Sequence, residues 1–311
     1  MKSLDASAAA PRPAWRRCAR RVLIALATLL LFAAGVAVWL RTAVELGVTT
    51  QPTLPPPATA EAPPGSTRPV VILLHGAGLN GHMWDPALRH LDPRWRYIAL
   101  DLPAHGSQQT QAFTLDSAVA SVARAAQSVA PAPVVLVGDS LGGYVAMAAA
   151  SALPPQQLRG LVLAGCSKNF RWIDGLRIWL QGTFVRGLIA VSSERQVFAR
   201  APARFGLQGD DARHLVEAGL GLRGYEQAVS ALLRVDMRAR LAAIHQPVLI
   251  ANGTLDTAAM RQEASFLAVA QQGSSVHFEN TEHGISLRRS AEFAAMVNQF
   301  AERVFSQLPR P

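Results

Sequence analysis

Cysteine is nearly absent: the 311 residues hold only two, Cys18 and Cys166. Two cysteines exclude a disulfide framework, and no His/Cys cluster has the close spacing of a metal site, so no metal is expected. Charge is also scarce, at 16% of residues, while half are hydrophobic. That balance suits a globular enzyme joined to a membrane-directed segment. Acidic residues are few, and the formal charge of +9 first suggests a nucleic-acid partner. Its location argues otherwise. Residues 1–41 carry Lys2, Arg12, Arg16, Arg17, Arg20, Arg21 and Arg41 against the single acid Asp5, so most of the excess flanks one hydrophobic run. No nucleic-acid partner is expected. Internal repeats are absent as well.

That run, Val22 to Leu40, has 19 residues without a charge. At about 1.5 Å per residue it is long enough to cross a bilayer core. The arginines concentrate on its N-terminal side, which predicts a cytoplasmic segment at 1–21, a transmembrane signal anchor at 22–40 and an exported catalytic domain. The alternative is a signal peptide cleaved near Gly35-Val36-Ala37, giving a secreted protein; the arginine pairs also allow twin-arginine export. If the run spans the bilayer, Cys18 and Cys166 lie on opposite sides of the membrane and cannot pair. Residues 42–67 are rich in proline, including Pro55-Pro56-Pro57, and read as a semi-extended linker.

From residue 68 the pattern changes. Short apolar runs at Val70–Leu74, Tyr97–Leu100, Val134–Val137, Leu161–Ala164, Val248–Ala251 and Val276–Phe278 each end in Gly, Asp or Asn or close to one. Helical patterns fall between several of them, at Leu115–Ser128, Leu141–Ala152, Ala258–Ala270 and Ala291–Phe305. This predicts an α/β fold with a mostly parallel central sheet and helices on both faces. Between Gly165 and His245 there is no strong strand. Helices at Trp172–Leu180, Ser193–Ala199, Asp211–Leu220 and Tyr225–Leu233 instead predict a helical cap inserted over 166–240. Cys166, just after a strand, reads as a small buried residue.

The run Val134–Val137 leads into Gly138-Asp139-Ser140-Leu141-Gly142-Gly143 and then an apolar helix. A serine becomes a nucleophile when its hydroxyl is exposed and a base can take its proton. A tight strand-to-helix turn provides the exposure, and Gly138 and Gly142 keep side chains from colliding across it. The helix that follows directs its N-terminal N–H groups at developing negative charge.

Here the chain resembles the α/β-hydrolase family, of the serine esterase and lipase kind with a helical cap. His75-Gly76-Ala77-Gly78 is similar to its oxyanion-loop segment, and Trp84 sits where the family often has a packing tryptophan. Asp101-Leu102-Pro103-Ala104-His105-Gly106 is similar to its Asp-x-Pro-Gly-His-Gly turn, with Ala104 replacing the usual glycine. The resemblance covers roughly residues 68 to 306. It implies the chain order nucleophile, acid, histidine: Ser140, then Asp256 after Val248–Ala251, then His283 after Val276–Phe278. His283 would act as base, Asp256 would orient it, and the backbone N–H groups of Ala77 and Leu141 would receive the oxyanion. His75 and His105 would serve loop architecture, alongside the motif glycine Gly76.

Rival readings remain beside these. Asp174 is the other place for the acid, and His277 and His245 are rivals to His283. Asp139 is expected to hydrogen-bond within its own turn. Asp210-Asp211 resembles a helix N-cap. Trp172, Trp179, Phe184 and Phe198 either line an acyl pocket or fix the cap helices to the sheet. The expected activity is cofactor-free hydrolysis of an ester or related acyl bond in a small-molecule substrate. Acyl transfer, C–C bond hydrolysis and cofactor-free peroxidase chemistry use the same triad. A non-catalytic binding module on a hydrolase scaffold is the alternative of another class. Oligomeric state and substrate are not legible in the sequence.

Overall fold

Residues buried on both faces of a sheet must be apolar at every position, and the runs above become strands for that reason. The computed structural model describes residues 22–24, 26–36, 38, 54, 55, 57, 63, 65–191 and 201–306. The strands are β1 (Val70–Leu74), β2 (Arg96–Leu100), β3 (Val134–Asp139), β4 (Leu158–Ala164), β5 (Val248–Gly253) and β6 (Gly273–Phe278). They form one sheet in the order β2-β1-β3-β4-β5-β6, every pairing parallel. β1 and β3 are buried throughout, whereas the edge strand β6 is mostly exposed. That exposure explains why only Val276–Phe278 reads as strand in the sequence.

The connecting helices are α1 (Leu115–Ser128), α2 (Leu141–Ala149), α3 (Trp172–Val191), α4 (Gly209–Glu217), α5 (Leu222–Leu232), α6 (Met237–Ala242), α7 (Thr257–Leu267) and α8 (Ser290–Phe305). Alternate strand residues face opposite ways. Ile72 and Leu136 pack with Val122 of α1 and Val145 of α2, and Val71, Val135 and Val137 pack with Phe293, Val297 and Phe300 of α8. α1 begins where it does because Thr114 and Ser117 cap each other's backbone N–H groups at 3.0 and 2.9 Å.

Between β4 and β5 the described chain is helical, and it departs from expectation in detail. α3 runs 20 residues, well past Leu180. Its apolar side chains fall on all sides, so periodicity does not mark its end. α6 was not anticipated; Asp236 caps it by accepting from the N–H groups of Arg238 and Ala239. Asp210 and Asp211 lie in the first turn of α4 instead of capping it. Asp211 accepts two hydrogen bonds from Arg89, and Asp210 pairs with Arg213.

The first 48 residues form a unit separate from Thr49–Pro311. Within it a helix runs through residues 22–24, 26–36 and 38 with its apolar side chains exposed. The expected membrane-spanning helix at 22–40 finds no support here: among the described residues no helix is long and apolar enough to cross a membrane. The basic segment 1–21 with Cys18, Ala37 of the cleavage site, most of the linker, the helix at Ser193–Ala199 and Phe198 lie outside the described residues.

Candidate active site

Because all six strands run the same way, the loops after β3, β5 and β6 open at one edge of the sheet. β3 ends at Asp139, Ser140 takes φ +51°, and α2 starts at Leu141. A non-glycine residue with positive φ is strained and persists only where its surroundings enforce it. Two glycines make this turn possible. A Cβ on Gly142 would lie 1.9 Å from the backbone oxygen of Leu74, and one on Gly138 would lie 2.2 Å from the backbone of Gly142. Neither contact can be relieved by moving a side chain. The turn is further held by Ser140 N–H donating to the Ala164 carbonyl at 2.7 Å.

Asp256 follows β5 and caps α7, its Oδ1 accepting from Ala259 N–H at 3.2 Å. Gly253 lets the two acid- and histidine-bearing loops touch, since a Cβ there would stand 2.1 Å from the Thr281 carbonyl. His283 then bridges the site. Its Nδ1 lies 2.6 Å from Asp256 Oδ2 and its Nε2 lies 3.0 Å from Ser140 Oγ. Gly165, at φ +61°, leaves room for the ring: an added Cβ would come within 3.0 Å of His283 Cε1. The three predicted residues are therefore in contact as a chain of two hydrogen bonds.

The rivals are engaged elsewhere. Asp174 pairs with Lys168 at 2.6 Å, His277 with Glu263 at 2.7 Å, and His245 with Gln271 at 2.7 Å. His75 holds loops together: Nδ1–H donates to the Gly76 carbonyl, and Nε2 accepts from Leu102 N–H. Burial lowers its pKa despite the nearby charge of Asp101. Burial likewise takes His105 down to about 3, helped by His75, while its ring donates to the Pro103 carbonyl. Ala104 adopts φ +63°, the backbone that the replaced glycine would favour.

Burial opposes a charged His283. The Asp256 hydrogen bond and the charges of Asp139 and Asp256 overcome it, so His283 titrates above the ordinary 6.5. Burial raises Asp256, but the hydrogen bond and charge of His283 together with the N–H groups of Ala258 and Ala259 outweigh it, and it ends below its ordinary 3.8. Asp139 departs from expectation. Its Oδ2 accepts from Ser286 Oγ at 2.6 Å, a partner 147 residues away and not in its own turn. Burial raises its pKa, and His283 and Ser286 work against that rise. Ser286 carries no sequence signal, because serine beside a histidine loop has no distinctive spacing.

With His283 in the expected role of general base, which requires a neutral imidazole, kcat/KM should rise with pH through its midpoint, above 6.5. Asp139→Asn keeps an acceptor for Ser286 but removes a charge that raises His283. The acid limb should then move to lower pH, read from kcat/KM against pH; an unmoved limb would show that Asp139 does not act on His283.

Ser140, His283 and Asp256 open into a cleft of about 1420 Å³, lined also by Gly76, Ala77 and Leu141. Tyr144, Phe170, Val185, Leu188, Val229 and Leu232 give it a largely apolar wall, and Lys168, Arg177 and Arg204 add positive charge. Phe184 lines this cleft yet is 67% exposed, and Trp172, at 72%, is not among the residues that line it. Trp179 is not among the lining residues. The fold also brings together His82, Asp85 and His214, a grouping that close sequence spacing does not reveal.

Residues 71–296 match the alpha/beta hydrolase family. The chain belongs to that family. Pimeloyl-[acyl-carrier protein] methyl ester esterase of Neisseria meningitidis serogroup A is 30% identical over 250 residues, covering 76% of this chain and 78% of that protein. The esterase of the same name from Yersinia pestis is 29% identical over 248 residues, covering 75% and 93%. Among solved structures, a carboxylesterase of the ammonia-oxidizing thaumarchaeon Nitrososphaera gargenis superposes with a TM-score of 0.65 at 17% identity, covering 78% of this chain and 94% of that one. By its family and the two methyl ester esterase relatives, this α/β-hydrolase is an enzyme of the carboxylic ester hydrolase class.

Proposed function

We propose that the hydrolase cleaves its ester through an acyl-enzyme on Ser140. The observation that carries this is the continuous hydrogen-bonded path from Ser140 Oγ through His283 to Asp256. His283 Nε2 takes the proton of Ser140 as Oγ adds to the substrate carbonyl. The resulting oxyanion lies toward the Ala77 and Leu141 N–H groups, where each such donor contributes on the order of 3 kcal/mol to the transition state. His283 then returns the proton to the departing alkoxide. A water, deprotonated by the same ring, attacks the acyl carbonyl and frees Ser140. Asp256 keeps the proton on Nδ1 and stabilises the imidazolium formed on the way.

The apolar wall favours a hydrophobic acyl chain, and the esterase relatives favour an ester over other acyl bonds. A fluorophosphonate probe tests the assignment. Wild type should be labelled once, on the peptide containing Ser140, and Ser140→Ala should not react. Labelling elsewhere, or equal labelling of the variant, would remove Ser140 from the mechanism.

The 19 uncharged residues at 22–40 and the arginines before them support a further part of this reading: a single-pass anchor with the catalytic domain on the exported side. A reporter enzyme fused after residue 311 should be active only outside the cytoplasm. Activity inside would reverse the orientation.

A further inference from the structure

Apart from the Ser140 site, the fold collects a group of side chains of metal-ligating type. His82 lies in the helical turn Gly81–Trp84 after β1, Asp85 opens the next turn, and His214 belongs to α4. Asp85 Oδ2 stands 2.9 Å from His82 Nδ1 and 3.1 Å from His214 Nδ1. The three ligand atoms lie within 4.8 Å of one another. A tetrahedral ion with bonds of about 2.0–2.2 Å holds its ligand atoms roughly 3.4 Å apart, so small rotations suffice to close around it. None of the three lines the cleft of Ser140.

His82 stands between two acceptors. His82 Nε2 faces the Pro55 carbonyl at 2.8 Å, while its Nδ1 faces the Asp85 carboxylate. Both partners are acceptors, and a neutral imidazole has one N–H. One ring nitrogen of neutral His82 therefore sets a lone pair against oxygen. A second proton on the ring would remove that conflict, and so would a cation at Nδ1, which leaves Nε2–H to donate to Pro55. A metal-bound histidine is ordinarily oriented in this way, by a carbonyl or carboxylate on its other nitrogen. His82 is largely buried and His214 one-third exposed, so the group has a fixed inner ligand and an open outer side.

We propose that His82, Asp85 and His214 bind one divalent ion of the zinc class, which ties α4 to the turn after β1. Two imidazole nitrogens with one carboxylate oxygen suit zinc and disfavour calcium or magnesium, which take oxygen ligands. Three protein ligands leave a fourth position for water. α4 already meets this part of the core through the Arg89–Asp211 pair and through Asn80, whose amide donates to the Leu215 and Gly219 carbonyls. The ion adds a bond across a seam that is closed without it. Its role is therefore to steady the helical insertion whose later helix, α5, walls the cleft, and it takes no part in the proposed chemistry at Ser140.

The test uses the full purified chain, stripped by a chelator and dialysed. Zn²⁺, titrated against a chromophoric chelator, should bind saturably at one equivalent and raise the thermal midpoint, while Ca²⁺ and Mg²⁺ at the same concentrations should not. Co²⁺ in its place should give visible absorption bands characteristic of nitrogen and oxygen ligands at low coordination number. His214→Ala, at a partly exposed position, and Asp85→Asn should each weaken Zn²⁺ binding by more than about 10-fold, since loss of even an orienting partner has that effect. Both should abolish the rise in midpoint. Wild type without saturable Zn²⁺ binding or cobalt bands overturns the site, and so does undiminished binding by both variants. If a variant folds poorly, the wild-type cobalt spectrum decides alone, because its absence is sufficient to reject the assignment.

Discussion

Replacing Ser140 by alanine is expected to lower kcat for a nitrophenyl ester by about 10⁵-fold or more, roughly 7 kcal/mol of barrier. The size follows from what remains. Without Oγ there is no atom to form the acyl-enzyme, and His283 is left to activate water from a ring positioned for the serine. The donors proposed at Ala77 and Leu141 and the apolar cleft still bind substrate, so a residual rate above that in water should persist. The fold should not notice. Alanine keeps the Cβ already accommodated at φ +51°, and the hydrogen bond lost, to His283, is on the open side of the site. Thermal unfolding therefore serves as the control: an unmoved midpoint with activity lost supports the nucleophile. A variant that keeps more than a tenth of wild-type kcat would sink it.

Much of this site is legible in the sequence because its parts sit at the ends of strands that announce themselves. Val134–Val137 is apolar at every position, and the glycines after it have a steric reason that the structure expresses in ångströms. The loops carrying Asp256 and His283 are marked by the same logic, an apolar run ending in polar residues. Contacts between distant segments are another matter. Nothing local to Asp139 points to Ser286, 147 residues on, and nothing local to Asp85 points to His214, 129 residues on. Such pairs are set by how the insertion and the final loop settle on the sheet. α3 shows a milder form of the same limit: its apolar residues on all sides fit a helix that both lines a cleft and meets solvent, and this pattern has no single face to read.

Asp256→Asn separates the orienting role from mere presence of a polar group. The substituted side chain can still cap α7, with its amide oxygen accepting from Ala259 N–H in place of Oδ1. Its amide NH₂ then faces His283 Nδ1, where the carboxylate accepted. The ring answers by moving its proton to Nε2, which now donates to Ser140 and cannot take the hydroxyl proton. Loss of the base in this way lowers kcat by about 10⁴-fold in a Ser-His-Asp hydrolase, and a similar fall is expected here. A second readout distinguishes this from simple damage. The Asp256 hydrogen bond and charge both raise His283, so their removal should carry the acid limb of the residual kcat/KM to lower pH. The sign follows directly: a histidine deprived of a stabilising anion loses its proton at lower pH and reaches its neutral form sooner. A misfolded variant would lose activity at every pH without moving the limb. If the rate falls and the limb stays, Asp256 holds a loop in place and does not tune His283.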